Sequence, residues 1–403
     1  MAVDQRTIRR ANLSTVLRHV ASDGPRSRAT IALETGLNKT TVSSLVAELM
    51  AADLLVETGE DEQPGAVGRP ARTLRLNGEA IAAVGLEVNV DYLAVCVTDL
   101  SGRVLQRERV DTANAGSRPA PVLTRLARLG RRAIAAAEAG GSRIVGAALG
   151  LPGLVDLAGS TLVLAPNLGW RNVRAADELG RRLERPGLAV AIDNEANLAA
   201  LAEHWEGAAR DLRTFLCVTG DVGIGAGVLV GGELFRGMHG FGGELGHVMV
   251  EPGGDRCACG SRGCLETVAG QAAVLRRAGV AVDGAPAGPA ARELFARAQA
   301  GDARALGALA EAGRALGVAL AAAVNLLDPE AVLLGGYLTP FAPWLAEPVR
   351  TALSRHVLAA GHNGCEVRPA ELADEAAARG AAASVLRAVL ADPTLAVAAT
   401  AGA

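Results

Sequence analysis

Lysine is almost absent from this sequence, which has one, Lys39, against thirty-nine arginines among its 403 residues. Skewed genomic base composition explains this bias and the abundance of alanine and glycine. Alanine-rich stretches therefore predict little about structure by themselves. Because the formal net charge is only -3, the chain as a whole lacks the charge of a basic nucleic-acid-binding protein. Any surface that binds DNA must be local.

Long hydrophobic segments are also missing. No segment reaches the ~20 apolar residues of a transmembrane helix, and the longest apolar stretch, residues 315–327, predicts a buried helix. The first residues contain no apolar core of a signal peptide. We therefore expect a cytoplasmic protein that does not contact a membrane. Disulfides are rare in the cytoplasm, so the six cysteines are expected to be free, metal-bound or catalytic.

Residues 1–77 have the pattern of a winged helix-turn-helix domain. Apolar residues at helical spacing predict three helices, and two short apolar runs predict the strands of a wing. A turn at residues 36–38 separates the second and third helices. The predicted helices are residues 7–22, 28–35 and 39–52, and the predicted strands are residues 54–56 and 73–76.

The third of these helices is the candidate DNA-reading element, because its N-terminal residues meet base edges in this motif. Residues 1–48 hold seven basic side chains against four acidic ones, a local excess where DNA contact is needed. Arg69 in the wing is a candidate for a minor-groove or phosphate contact. The alternatives are a solvated helical hairpin or a winged helix that contacts protein. The candidate DNA-binding residues at the third helix are Asn38, Lys39, Thr40, Thr41, Ser43 and Ser44.

From residue 78 onward, strands and helices alternate, which predicts an α/β domain. Two strand-rich segments, starting near residues 81 and 215, are each followed by helices. This repetition predicts two related lobes, residues 78–193 and 194–391, around a cleft of the kind that binds ligands. Residues 392–403 are expected to form a loose tail.

Three cysteines lie within eight residues, at Cys257, Cys259 and Cys264. Two glycines between them let the backbone turn so that the thiols converge, and His247 lies ten residues upstream. Three thiolates and one imidazole make a closed tetrahedral set, the structural kind of zinc site. We therefore expect one structural zinc ion per chain; the alternative is a redox pair or idle thiols.

Three motifs together resemble the ROK family of repressors and sugar kinases, over about residues 80–390. They are the Gly-Gly-Glu-Leu-Gly-His run at residues 242–247, the Cys-x-Cys-Gly-x-x-Gly-Cys-x-Glu run at residues 257–266, and Gly-Ile-Gly-Ala-Gly at residues 223–227. The N-terminal domain resembles that of the xylose- and glucose-responsive repressors of the family. The resemblance implies an actin-like fold of two lobes with a sugar pocket between them. The sugar-binding positions that it implies are Asn194, Glu195, Glu244, His247 and Glu266, with Asn167 beside them.

The motifs with which family kinases hold nucleotide phosphates are altered here. Asp-x-Gly-Gly-Thr is replaced by the run from Glu87 to Asp91, Gly-Thr by Asp221-Val222, and the kinase aspartate by Glu195. Glycine-rich turns bind phosphate through backbone N–H groups, and these aspartates would repel a triphosphate. We therefore expect no enzymatic activity, with an ATP-dependent sugar kinase carrying a DNA-binding appendage as the alternative.

The resemblance also implies how such a chain works. A homodimer, or a dimer of dimers, would bind a two-fold double-stranded DNA operator and repress carbohydrate-use genes. A sugar effector bound between the lobes would release the operator. A regulatory protein partner is the alternative source of control.

Overall fold

The computed structural model describes residues 5–60, 72–281, 288–361 and 364–398, so Arg69 lies outside the described residues. Residues 5–76 form an N-terminal head of three helices and a small antiparallel sheet. The predicted helices and strands are present with small shifts at their ends, and a short strand before the second helix was not predicted. The head elements are α1 (Gln5–Asp23), β1 (Arg26–Ser27), α2 (Arg28–Thr35), α3 (Lys39–Ala51), β2 (Leu55–Glu60) and β3 (Arg72–Leu76).

The turn between α2 and α3 follows from its residues. Gly36 ends α2 with φ +71°, a left-handed conformation that glycine adopts without steric cost. Asn38 then caps α3, because its side chain accepts a hydrogen bond from the Thr41 N–H at 2.8 Å. The apolar side of α3 is buried against α1 and α2, including Val42 and Leu45. The hydroxyl-bearing side is left toward solvent.

The rest of the chain, residues 78–398, is the body, and it contains two five-stranded sheets. The first has the order β11-β7-β4-β5-β6 and the second β16-β15-β12-β13-β14. In each sheet three antiparallel strands are followed by two parallel ones in the same relative positions. This shared topology confirms the prediction of two related lobes.

The two large sheets begin near residues 81 and 215, as predicted, whereas a small third sheet was not predicted. The strands of the first sheet are β4 (Ile81–Val88), β5 (Tyr92–Asp99), β6 (Val104–Asp111), β7 (Arg143–Leu151) and β11 (Val190–Asn194). Those of the second are β12 (Phe215–Gly220), β13 (Ile224–Val230), β14 (Glu233–Leu234), β15 (Ala331–Gly336) and β16 (Glu366–Pro369). The small antiparallel sheet comprises β8 (Leu154–Asp156), β9 (Thr161–Ala165) and β10 (Trp170–Val173).

Helices cover both large sheets. The first lobe carries α4 (Pro119–Ala139) and α5 (Ala175–Leu183). The second carries α7 (Leu265–Ala269), α8 (Gln271–Ala278), α9 (Gly288–Gln299), α10 (Ala303–Leu327) and α11 (Leu338–His356). By length and composition, α10 could cross a membrane, but 56% of its most apolar window is buried and it packs along α11. That burial is typical of a core helix, as expected for residues 315–327.

Two further helices connect the parts of the molecule, and one of them lies where the sequence did not predict it. They are α6 (Glu195–Glu206) and α12 (Ala376–Ala391). The predicted division of the body put residues 194–391 in the second lobe, yet α12 packs against β4, β5 and β7 of the first sheet. Small residues also let α12 lie close to α6, since a Cβ on Gly380 of α12 would lie 2.0 Å from the Leu198 carbonyl oxygen of α6.

The chain end differs from the expected loose tail through residue 398. A short helix, α13 (Thr394–Ala398), follows α12, and Ala396 in it is fully buried. Arg143 holds this helix and the head together, donating to the Ala396 carbonyl at 2.9 Å and to the Ala52 carbonyl at 3.0 Å. Residues 399–403 lie outside the described residues.

Candidate functional site: an interlobe cleft beside a cysteine–histidine cluster

The six residues expected to bind sugar all line one cleft between the two lobes. They come from five separate elements: the β9–β10 turn, the end of β11, the start of α6, the glycine-rich loop after β14, and the first turn of α7. The base of the cleft has about 60 Å³ of free volume. That is room for roughly four to six waters at ~10–15 Å³ each, so a ligand with several hydroxyl groups would replace a small hydrogen-bonded water cluster. The six residues are Asn167, Asn194, Glu195, Glu244, His247 and Glu266.

Asn194 and Glu195 are positioned by the junction of β11 and α6. The Asn194 side chain caps α6, accepting from the Ala196 N–H at 2.8 Å, and its amide group donates to the Gly153 carbonyl at 3.1 Å. Both polar atoms of the Asn194 side chain therefore already form hydrogen bonds within the protein. Glu195 differs, because its buried Oε2 has no hydrogen-bond partner among the described residues. An orphaned buried carboxyl oxygen marks a place where a ligand hydroxyl would bind.

Glu266 connects the cleft with the loop that bears the cysteines. Its Oε2 accepts from the Asn167 amide at 3.1 Å and from the Ile224 N–H at 3.3 Å. Its Oε1 lies 3.7 Å from the Cys257 sulfur. His247 is similarly divided, with Nε2 3.9 Å from a Glu244 oxygen on the cleft side. The two carboxylates and the imidazole thus line the cleft from the second lobe.

The distances between the ligand atoms of the cysteine cluster test the prediction of a metal site. One ligand atom from each of the four predicted residues lies within 4.8 Å of all the others. Cys259 and Cys264 sulfurs are 3.8 Å apart, and the Cys257 sulfur is 3.7 Å from His247 Nδ1. Tetrahedral zinc with Zn–S of ~2.3 Å and Zn–N of ~2.0–2.1 Å puts neighbouring ligand atoms about 3.5–3.8 Å apart. The cluster can therefore hold a metal ion, and its donor set and spacing fit zinc.

The altered kinase motifs form a hydrogen-bonded bridge between the lobes. The buried Asn89 of the first lobe donates from its side-chain amide to Asp221 Oδ2 of the second lobe at 2.9 Å. Beside it, the Tyr92 hydroxyl donates to Glu87 at 2.6 Å, and Glu87 is only 1% exposed. The two segments that replace the family's phosphate loops are thus joined to each other. The sequence identified these altered residues, but it did not predict that Asn89 and Asp221 contact each other.

These buried carboxyl groups resist ionisation. Burial raises the pKa of Glu87 to about 7, against the opposing effect of its hydrogen bond from Tyr92. Burial also raises the pKa of Asp221 and of Glu195 well above their ordinary values, and neighbouring carboxylates add to the effect. A carboxyl group with a raised pKa can donate as well as accept a hydrogen bond, which suits ligands with hydroxyl groups.

A second link between the lobes was not predicted. Arg236, at the start of the glycine-rich loop, forms two parallel hydrogen bonds to Asp193 at the end of β11, at 2.9 and 2.6 Å. Asp193 also accepts from the Asn194 N–H at 2.8 Å. The bidentate pair therefore fixes the loop that carries Glu244 next to the strand end that carries Asn194. No motif in the sequence marks this pair, because its partners are 43 residues apart.

The candidate DNA-binding residues of the head differ in exposure and in the hydrogen bonds of their side chains. Lys39, Thr40 and Ser43 are exposed on one side of α3, whereas Thr41 is half-buried. Asn38 is exposed but its side chain is occupied as the helix cap. Ser44 is exposed and its hydroxyl accepts from an Arg9 guanidinium that also pairs with Glu48. Lys39 and Thr40 are therefore the most available side chains, and the exposed Ser43 hydroxyl donates to the Lys39 carbonyl at 2.9 Å.

Comparison with known proteins agrees with this architecture. The ROK family model matches residues 83–388. The xylose repressor of Bacillus subtilis (strain 168) is 31% identical over 386 residues, covering 95% of this chain and 97% of the repressor. The crystal structure of a ROK family transcriptional regulator, a homolog of the E. coli MLC protein, has a TM-score of 0.80 at 28% identity. That match covers 98% of this chain and 100% of the other.

A kinase of the same fold matches a shorter share of the chain. The ROK family glucokinase from Streptomyces griseus, in complex with glucose and AMPPNP, has a TM-score of 0.64 at 29% identity. It covers 75% of this chain and 98% of its own length. The match to the regulator thus includes the head, and the match to the kinase covers about the length of the body. This chain belongs to the ROK family.

Proposed function

We propose that this chain is a sugar-responsive, DNA-binding transcriptional regulator that represses carbohydrate-use genes until a sugar binds between its lobes. The observation that carries the proposal is the packing that connects one pocket helix, through a second helix, to the DNA-binding head. Helix α6 starts with Glu195 in the cleft and packs along α12, and α12 contacts α1 of the head. A cytoplasmic location goes with this function.

The chemistry of the cleft supports a sugar ligand. Carboxylates and amides hydrogen-bond to several hydroxyl groups at once, and the cleft presents Glu195, Glu244, Glu266 and Asn167 together. Burial raises the pKa of Glu195, and in its protonated form this carboxyl group can both donate to and accept from a sugar hydroxyl. Xylose is the first sugar to test, since the Bacillus subtilis relative is a xylose repressor.

A structural zinc ion would stabilise the second-lobe side of this cleft. His247, Cys257, Cys259 and Cys264 would hold it, and when bound it would supply the cross-link that a short loop without its own core needs. His247 and Glu266 contribute both to the cluster and to the cleft. We infer that loss of the ion weakens sugar binding although the ion has no catalytic role.

DNA recognition is assigned to α3. Lys39 would bind phosphate or guanine, while Thr40 and Ser43 would meet the backbone or base edges. A homodimer, or a dimer of dimers, would place two heads on half-sites ~34–36 Å apart or a multiple of that distance. Coupling between sugar and DNA must be reciprocal, because each ligand changes the affinity of the other by the same factor.

Contacts between α1 of the head and the end of α12 would transmit a movement of the lobes to the head. The Ser14 hydroxyl of α1 donates to the Leu390 carbonyl of α12 at 3.2 Å, and Arg10 pairs with Asp392 at 3.3 Å. Because α6 and α12 pack at near-backbone contact at Gly380, a displacement of α6 is passed on to α12. Sugar that draws the lobes together would thereby shift the head and weaken its fit to the operator.

The kinase alternative is disfavoured by the bridge between the altered phosphate motifs. The Asn89–Asp221 hydrogen bond engages two of the side chains that replace the phosphate motifs of family kinases. Incubation of the protein with ATP, magnesium and a panel of sugars tests this directly. ADP should form no faster than in a control without sugar, and sustained turnover on any sugar would establish the kinase.

The sugar site is tested by a thermal-shift screen on the full-length protein. A binding sugar should raise the melting temperature of the wild type. Glu195→Gln should reduce that rise. Because the buried Glu195 Oε2 has no hydrogen-bond partner in the described protein, the substitution breaks no protein contact at that oxygen, and a smaller rise reports on the contact with the sugar. Glu347→Gln, exposed on α11, is the matched control and should respond like the wild type. If no pentose or hexose shifts the wild type, the sugar proposal fails.

A further inference from the structure

A second cavity, of about 690 Å³, lies outside the interlobe cleft, where the head meets the body. We call it the junction pocket. It is bordered by the second half of α1, the turn between β5 and β6, the end of α6, and α12. Its volume falls within the ~300–1,000 Å³ typical of small-molecule sites. Its charged lining residues are Arg18, Arg210, Arg379, Arg387, Asp99 and Glu206.

The two acidic residues of the junction pocket are already engaged. Asp99 is fully buried, and its carboxylate accepts from the backbone N–H groups of Ser101 and Arg103 and from the Arg103 guanidinium at 3.1 Å. Glu206 pairs with Arg379. Both carboxylates therefore have hydrogen-bonded partners, and Glu206 also acts electrostatically on Arg387.

Two arginines in the pocket contribute positive charge without a directly paired carboxylate among the described residues. Arg387 stacks over the Trp205 ring with its guanidinium carbon 4.9 Å from the ring centroid, and Arg18 donates to the neutral Ser14 hydroxyl at 3.0 Å. Neither forms an ion pair with a residue in the described part of the chain. Partial burial lowers the pKa of Arg387, although a guanidinium remains charged at neutral pH. Stacking on a ring fixes one guanidinium face and leaves its N–H edge available.

We propose that the junction pocket binds a small dianion, a phosphate or a dicarboxylate, between Arg18 and Arg387. Both ligand chemistries present paired oxygens that match guanidinium N–H groups. Arg18 belongs to α1 of the head and Arg387 to α12 of the body, so one ligand bridges the two parts. Binding stiffens the head on the body. The inference does not depend on sugar binding in the interlobe cleft.

Binding is measured by thermal shift and calorimetry on the full-length protein at fixed ionic strength. Sodium phosphate and sodium succinate are the probes, and sodium chloride is the reference. At least one dianion should raise the melting temperature above that in chloride, and the comparison between the two identifies the preferred chemistry. Arg387→Gln should weaken its affinity at least about tenfold, as expected for loss of a charge-assisted contact. Arg314→Gln, exposed on α10, is the control and should bind like the wild type.

A second variant and a second readout separate binding in the pocket from general effects. Arg18→Gln, an exposed position, should lose affinity in the same way, and it serves if Arg387→Gln does not fold. Hydrogen exchange in residues 14–22 should slow when the dianion binds to the wild type. No shift up to millimolar dianion, or equal affinity in wild type and both variants, overturns the proposal. An operator affinity that falls in these variants without any small-anion binding would instead assign the arginines to DNA phosphate.

Discussion

Glu87 gives a stability prediction whose sign and size follow from its surroundings. Its carboxyl group is buried, accepts from the Tyr92 hydroxyl, and interacts electrostatically with Arg109 and Asp374. Burial raises its pKa from 4.5 to about 7. A group whose pKa is raised by folding contributes stability below its unfolded value, and that stability is lost as the pH rises through the folded value.

The size of the effect follows from the same two values. Each factor of ten in proton affinity is worth about 1.4 kcal/mol, so ionising Glu87 between pH 4.5 and about 7 removes about 3 kcal/mol of stability by pH 8. Glu87→Gln cannot ionise and keeps an oxygen to accept from Tyr92. The variant should therefore be more stable than the wild type at pH 8 by up to about 3 kcal/mol and nearly equal to it at pH 5.

Chemical denaturation of wild type and Glu87→Gln at several pH values between 5 and 8.5 measures this difference. Glu79→Gln is a suitable control, because Glu79 has a largely exposed side chain. The two stability curves should diverge as the pH rises. Curves that stay parallel from pH 5 to 8.5 would refute the assignment of a neutral, buried carboxyl group to Glu87.

Three other variants test the zinc cluster, the DNA-binding helix and the helix pair. Cys259→Ser should abolish the one zinc per chain measured by elemental analysis and weaken sugar binding, whereas Cys365→Ser should not; intact sugar affinity without zinc would contradict the coupling. Lys39→Ala should weaken operator binding and lower the slope of log K against log salt by about one, and an unchanged slope would exclude a phosphate contact. Gly380→Ala should cost about 1–3 kcal/mol of stability through overpacking and reduce the sugar response of operator binding. Gly307→Ala, where a Cβ meets nothing within 4 Å, should leave both unchanged.

Much of this fold was predictable because its elements carry regular apolar patterns. The head helices and the start of each large sheet followed from spacing alone, and the structure confirms them to within a few residues. The position of α12 was not predictable in this way. Its contacts with α6 and β4 are made by alanine and glycine, residues whose abundance in this chain had been attributed to base composition.

In the candidate site, too, residues close together in the sequence were predicted, and contacts between distant residues were not. Short motifs predicted every residue that the cleft gathers from the glycine-rich loop and the cysteine cluster, because those residues lie within a few positions of one another. The Arg236–Asp193 and Asn89–Asp221 contacts join residues 43 and 132 positions apart. They depend on how the two lobes meet, and no local pattern encodes that. The arginines of the junction pocket likewise come together only when the head is docked.

The central claim is that the cleft and the head are coupled, and one titration tests it. Operator DNA is titrated with full-length protein, without sugar and with a sugar found in the thermal-shift screen at saturating concentration. Coupling of 1–3 kcal/mol, typical of such proteins, predicts that sugar weakens operator affinity about 5- to 150-fold. Operator affinity that stays the same at a sugar concentration known to saturate the cleft would contradict the account.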